Sequence, residues 1–196
     1  MTLRRAIPAL LAAALAAGAA APAAARGEDL APRSRALLAL RVLAYDRNVR
    51  QRAGAAVTVV ILARPGDRAS EERCEGLRQA FEEVAHDVVV AGLPVRAEVL
   101  PYRDPAGLDG KLEGLRPALV YLDAALAGAV DEILHVTRRR GALTADGSKA
   151  MAEAGVAIGI VPRGPRAGVI VNLASARREG AELDPALLAV AEVLRD

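Results

Sequence analysis

Aromatic rings are almost missing from this chain: it has no Trp, one Phe and three Tyr in 196 residues. Proteins that hold single-stranded nucleic acid use flat side chains as platforms for the bases, and so poor a supply of rings argues against nucleic acid as a partner. Cysteine is equally scarce. Cys74 stands alone, which excludes an internal disulfide and leaves the fold to rest on its core. His86 and His135 are the only histidines. Cys74 and His86 are twelve residues apart, about 120° out of phase on a helix, so no metal set forms from them and no cofactor is expected. Neither a P-loop nor a G-x-G-x-x-G turn occurs, which leaves nucleotide binding without support. No G-x-S-x-G nucleophile elbow occurs either. With no nucleophile, no acid/base pair and no metal ligands in a recognisable pattern, the chain is read as a non-enzyme.

What the chain does have is aliphatic: 53% of its residues are hydrophobic, chiefly Ala, Leu and Val, enough for one ordinary core. Its first 25 residues have the order of a secretory signal peptide. Arg4 and Arg5 precede an apolar stretch from Ile7 to Ala20, Ala23-Ala24-Ala25 offers small residues for cleavage, and polarity resumes at Arg26. No later stretch is apolar and long enough to span a bilayer. The formal charge of the whole chain is +2. Both excess charges are the leader arginines, so the remainder is neutral and its charge says nothing in favour of a polyanionic partner. The expected organisation is a signal peptide at 1–25, a linker at 26–34 and one domain at 35–196.

Hydrophobic periodicity predicts the elements of that domain. A first helix runs from Arg35 to about Arg47, with Leu37, Leu40 and Leu43 at helical spacing, and Gln51 to Gly54 reads as a loop. Val57–Ala63 is a continuous apolar, β-branched run, as in strands buried on both faces. A helix from Ser70 to about Ala85, with Ser70 as cap, buries Cys74, Leu77, Phe81 and Val84. Strands follow at 95–102, 118–123 and 142–145, separated by helices at 106–115 and 126–139. Gly141 stands just past the second of these helices. After a short helix at 148–154, two strands at 156–161 and 168–173 flank a Pro/Gly turn and form an antiparallel hairpin. A last helix spans 185–194. The fold class is therefore α/β: a mostly parallel sheet with helices on both faces and a C-terminal antiparallel hairpin.

Two groups of residues are candidates for binding. Between Leu30 and Arg52 lie six arginines against the single acid Asp46. The bland account is a solvated helix face. The functional account is a contact with an acidic partner or an anionic membrane surface, carried by Arg41, Arg47 and Arg50. The second group is Thr144, Ser148 and Lys149, where a strand passes into a helix. Ser148 is most simply an N-cap, but the helix start with Lys149 could hold a small anionic ligand. Other polar residues have structural accounts. His135 sits one turn from Asp131. Arg138, Arg139 and Arg140 belong in the last turn of a helix. Asn172 ends an apolar strand and must find partners, most simply in the Ala174–Glu179 turn.

The C-terminal block carries more. Leu143-Thr144 ends one strand, Val156 to Val161 alternates, Val169 to Asn172 runs into a small-residue segment with Ala176-Arg177, and Leu187-Leu188 follows in the closing helix. This block resembles the YfiR-like family of periplasmic proteins. The resemblance implies a periplasmic α/β domain that acts by binding, often as a homodimer. It further implies repression of a membrane-bound signalling protein, such as a diguanylate cyclase or a sensor kinase, through that protein's periplasmic domain, with an effect on cyclic di-GMP. The chain departs from the family in lacking the cysteine pairs of some members and the aromatic residues that commonly follow the Leu-Thr strand; Met151 stands there instead. The alternative reading is a single-lobe small-ligand-binding protein associated with a transporter.

Overall fold

The computed structural model describes residues 30–164 and 166–195. The expected signal peptide and the first part of the linker lie outside the described residues. Helix α1 (Pro32–Ala44) has Pro in its first turn, where the missing N–H costs nothing, so residues 32–34 are already helical. A short helix α2 (Val49–Ala53) occupies the stretch expected as a loop, with Val49 and Ala53 buried in the core.

Next come β1 (Val57–Ala63), α3 (Arg68–Val84), β2 (Val95–Pro101), α4 (Pro105–Leu115) and β3 (Leu119–Leu122). The second half holds α5 (Val130–Arg140), β4 (Leu143–Asp146), α6 (Lys149–Glu153), β5 (Ile158–Arg163), β6 (Arg166–Asn172), α7 (Leu173–Arg178), α8 (Pro185–Leu188) and β7 (Glu192–Leu194). Five of these helices, and a 3-10 turn at Ala124–Ala129, open on a capping carboxylate, amide or hydroxyl. Asp67, Asp104, Asp123, Ser148, Asn172 and Asp184 each accept a backbone N–H from the first turn that follows them, which explains why the helices begin where they do. Asp67, rather than the expected Ser70, caps α3. Ser70 is buried and its Oγ accepts the N–H of Arg64 at 3.0 Å instead.

The strands form one seven-stranded sheet in the order β2-β1-β3-β4-β5-β6-β7. Pairing is parallel from β2 through β5, antiparallel across β5–β6, and parallel again at β6–β7. The mostly parallel α/β class and the hairpin are thus as read from the sequence. Side chains of β1 alternate between two cores. Val57, Val59, Ile61 and Ala63 join Leu40, Leu43, Leu77 and Phe81 under α1 and α3. Val60 and Leu62 join Leu108, Leu112, Ile133 and Leu134 under α4 and α5. A strand buried on both faces has no polar positions to spare, which is why β1 reads as a continuous apolar run.

Two expectations fail for tertiary reasons. The closing helix stops at Leu188, and Glu192–Leu194 becomes β7, pairing Ile170↔Glu192, Val171↔Val193 and Asn172↔Leu194. The outer edge of β6 offers unpaired backbone groups, and a short Glu-Val-Leu segment gains more by pairing there than by extending a helix of four residues. The 126–139 helix is preceded by a 3-10 turn at Ala124–Ala129. Asp123 fastens that turn by accepting the N–H of Ala125 at 3.0 Å, so the α-helical part starts only at Val130.

Candidate functional site

In open α/β sheets ligands collect beyond the carboxyl ends of the strands, near the point where strand order reverses. Here the order reverses between β1 and β3, flanking strands that lead in opposite directions to β2 and β4. A cavity of about 520 Å³ lies there, with Tyr121 to Ala124 and Asp146 to Ser148 contributed by the ends of β3 and β4. Arg73, Cys74 and Leu77 line it from α3, while Leu30, Pro32 and Arg35 close it from the start of α1.

Two carboxylates sit at matching places, one just after β3 and one at the end of β4. Asp123 accepts a bidentate pair from Arg73, Nε at 2.9 Å and Nη2 at 2.8 Å. Burial works to raise its pKa, but hydrogen bonds from Arg73, Ser70 and the Ala125 N–H prevail, and the carboxyl is held below its ordinary range. Asp146 is 1% exposed. Burial pushes its pKa up, against hydrogen bonds from Ser148 and the Gly147 N–H and the nearby charge of Arg35. The Arg35 side chain crosses the cavity floor. Its Nε donates to Leu30 O at 3.2 Å and its Nη1 to the Tyr121 hydroxyl at 3.3 Å and Ile160 O at 3.5 Å. Cys74 is buried, with Sγ 3.6 Å from Leu62 O. Burial, aided by the charge of Asp123, pushes its thiol up to about 12, so it is a core hydrophobe rather than a nucleophile. The walls are therefore apolar, with two arginines and two aspartates at fixed points. This arrangement suits orientation of a bound molecule.

Of the ligand candidates, the structure brings only Ser148 to this cavity. Its Oγ also accepts the N–H of Met151 at 3.2 Å as the cap of α6. Lys149 is exposed and does not line the cavity, and its Nζ donates to Glu192 at 2.7 Å. Thr144 is fully buried. Its N–H and hydroxyl both donate to Glu179 at 2.8 Å, and its Oγ1 accepts the Ala157 N–H at 2.9 Å, so it ties β4 to the end of α7 and offers no surface. Glu179 is itself fully buried, and burial pushes its carboxyl up to about 7 despite the Thr144 hydrogen bonds and the charges of Arg138 and Arg52.

The arginine-rich N-terminal segment divides in the same way. Arg33 reaches Asp87 at 2.9 Å. Arg52 pairs with the buried Asp46 and donates to Ala118 O and Gly141 O at 3.0 and 3.1 Å. Arg47 is exposed but bonded to Asp184 at 3.0 Å and Glu182 at 3.4 Å. Arg41 on α1 and Arg50 on α2 remain as exposed cations with no ion pair among the described residues. Sequence reasoning overlooked Arg35, Arg73, Asp123 and Asp146. The available signal was the pair of aspartates, each at the end of an apolar strand of a parallel sheet.

Among the described residues no cluster of three or more His, Cys, Asp or Glu side chains could hold a metal ion, and no helix is long and apolar enough to cross a membrane. The fold and the cavity define an open, mostly parallel α/β domain with a pocket beyond the carboxyl ends of its strands. The chain belongs to the YfiR/HmsC-like family, whose model matches residues 49–192. Proteins of this family are periplasmic and act as regulators rather than as enzymes. No curated protein matches the chain. Among solved structures it is similar to the ABC domain in complex with L-Trp from Streptococcus pneumonia, at 12% identity and a TM-score of 0.55, covering 80% of this chain and 60% of the other. A conserved domain protein from Vibrio cholerae is similar at 11% identity and a TM-score of 0.57, covering 85% and 61%. A ligand-free, open substrate binding protein with adhesive properties from Clostridium difficile is similar at 10% identity and a TM-score of 0.53, covering 76% and 57%. These identities speak for the fold alone, and the chain spans about three fifths of the length of those structures.

Proposed function

We propose that this protein is an exported, non-enzymatic regulator that binds the periplasmic domain of an inner-membrane signalling protein, such as a diguanylate cyclase or a sensor kinase, and so sets its output. The observation that carries this reading is the family match across residues 49–192. The geometry supports it: the polar residues of the cavity hold one another, as in a binding site, and Cys74 is buried with its thiol pushed up to about 12. On this reading residues 1–25 direct export, the mature chain forms a homodimer, and the cavity at the ends of β3 and β4 takes a small ligand that modulates partner binding. Arg35 and Arg73 line the cavity, and each would meet an anionic group on that ligand only by exchanging contacts it now makes within the chain.

The test is genetic and biochemical together. Deleting the protein should raise cellular cyclic di-GMP or the output of a cognate kinase, and the purified protein should bind the periplasmic domain of that cyclase or kinase. Unchanged output, with no binding to any such domain, rejects the reading.

A second reading is a single-lobe ligand-binding protein serving a transporter. It is favoured by the position of the cavity beyond the strand ends. It is chosen over the first if deletion abolishes uptake of a small solute and leaves signalling unchanged.

A further inference from the structure

Strand β2 forms one edge of the sheet, and among the described residues it pairs with β1 alone. At one end of that ladder Val57 N–H donates to Pro94 O at 2.8 Å, and at the other Tyr102 N–H donates to Ala63 O at 2.9 Å. Backbone groups alternate along a strand between the two edges, so the even-numbered residues of β2 point at β1. The N–H and C=O groups of Val95, Ala97 and Val99 therefore point away from the sheet. The register runs without a bulge from Val57↔Val95 to Ala63↔Pro101. Val95, Ala97 and Val99 are half-buried against the core under α3, while Arg96 and Glu98 are exposed on the opposite face.

We propose that this edge is the homodimer interface: β2 pairs antiparallel with β2 of a second copy about a two-fold axis through Ala97. In that register Val95 faces the partner's Val99 and Ala97 faces its counterpart, so every outward N–H and C=O of the three residues finds a partner. Arg96 then stands directly opposite the partner's Glu98, and symmetry repeats the pair. These are the closely spaced, non-hydrogen-bonded positions, where opposite charges attract and like charges destabilise. Moving the axis to residue 96 opposes two arginines, and moving it to residue 98 opposes two glutamates. The neighbouring symmetric registers are thus penalised by the same side chains that favour this one. Pro94 and Pro101 bound the segment, and Pro101 has no N–H to extend the ladder. Charged residues and prolines on an edge strand protect it from indiscriminate pairing. Here their order on the strand also makes the edge complementary to itself.

This inference deepens the dimeric reading above and rests on it. Sedimentation of the purified protein over a concentration series should show a dimer. Arg96→Glu, at an exposed position, should leave the circular dichroism spectrum of the folded protein unchanged and weaken dimerisation about tenfold or more, or 1.4 kcal/mol and upward. The double exchange Arg96→Glu with Glu98→Arg should restore the dimer, since the cross-strand pairs return with their signs reversed. Ala97→Pro removes an N–H that points away from β1, spares the inner ladder, and should give a folded monomer. Dimers of unchanged affinity in Arg96→Glu and Ala97→Pro place the interface elsewhere and overturn the β2 assignment while the dimeric reading stands. A wild-type protein that stays monomeric at every concentration overturns both.

Discussion

Arg35 lies over Gly147 so closely that a Cβ on the glycine would fall 1.8 Å from Nη1. This approach joins the first helix to the end of β4 and shapes the floor of the cavity. Gly147 is required here for space, since its backbone is not in the left-handed region.

Gly147→Ala should displace the Arg35 guanidinium and break its hydrogen bonds to Tyr121 and Ile160. The side chain is flexible, so the cost should be that of the lost bonds, about 0.5–1.5 kcal/mol each at most. In an Arg35→Ala background the same substitution should cost nothing further. A double-mutant cycle by chemical denaturation measures this coupling, and additive effects would show that the contact does not shape the cavity.

Glu179 gives the protein a pH dependence with a definite sign. Its buried carboxyl titrates near 7, above its ordinary value of 4.5, so between those values the folded state keeps a proton that the unfolded state has lost. The associated stability is fully present below the ordinary value and is lost as pH rises through the folded one. Asp146, also raised by burial, contributes in the same sense. Thermal unfolding between pH 5 and 8 should therefore show a melting temperature that falls with rising pH. Glu179→Gln removes the titrating carboxyl, keeps an oxygen that accepts the Thr144 N–H, and should flatten most of that slope. An equally steep slope in the variant assigns the titration to another group.

The sequence disclosed the sheet well and the site badly, for one physical reason. Apolar runs such as 57–63 and 118–123 register burial on both faces, a property of the strand itself. The partnership of Arg73 with Asp123 spans fifty residues, and that of Thr144 with Glu179 spans thirty-five; no local period encodes either. Thr144 resembled a ligand residue because a polar side chain at a strand end is ambiguous until its partner is known. The 185–194 segment misled in the opposite direction. Its local pattern suits a helix, but the open edge of β6 competes for the chain and takes Glu192–Leu194. Asn172 is legible because its partner follows it in sequence: its Oδ1 accepts the Ser175 N–H at 3.0 Å.

Asn172→Leu should accordingly be a stability variant. It leaves the Ser175 N–H without its cap and the Ala152 carbonyl without the Nδ2 donor now at 3.0 Å, in a place where the side chain is almost wholly buried. The expected loss is about 1–3 kcal/mol, read from denaturant midpoints. Partner binding by the fraction still folded should be unchanged; lost binding at an unchanged midpoint would assign Asn172 to the interface.

The arginines of the first two helices should separate under charge reversal. Arg47 is bonded to Glu182 and Asp184, and Asp184 caps α8. Arg47→Glu therefore places three acids together and should loosen the C-terminal segment, seen as faster amide exchange around 182–190. Arg41 and Arg50 have no ion pair among the described residues, so reversal there should cost only about 0.3–1 kcal/mol, that of an acid placed in a last helical turn, and leave exchange around 182–190 unaltered. If they meet an acidic surface on the membrane partner, Arg41→Glu and Arg50→Glu should each slow association, and the wild-type rate should fall toward theirs as salt is raised, because rim charges act mainly on encounter. Surface-capture kinetics at low and physiological salt measure this. Association that is equally fast in both variants and insensitive to salt would remove α1 and α2 from the partner surface, whatever Arg47→Glu does to the fold.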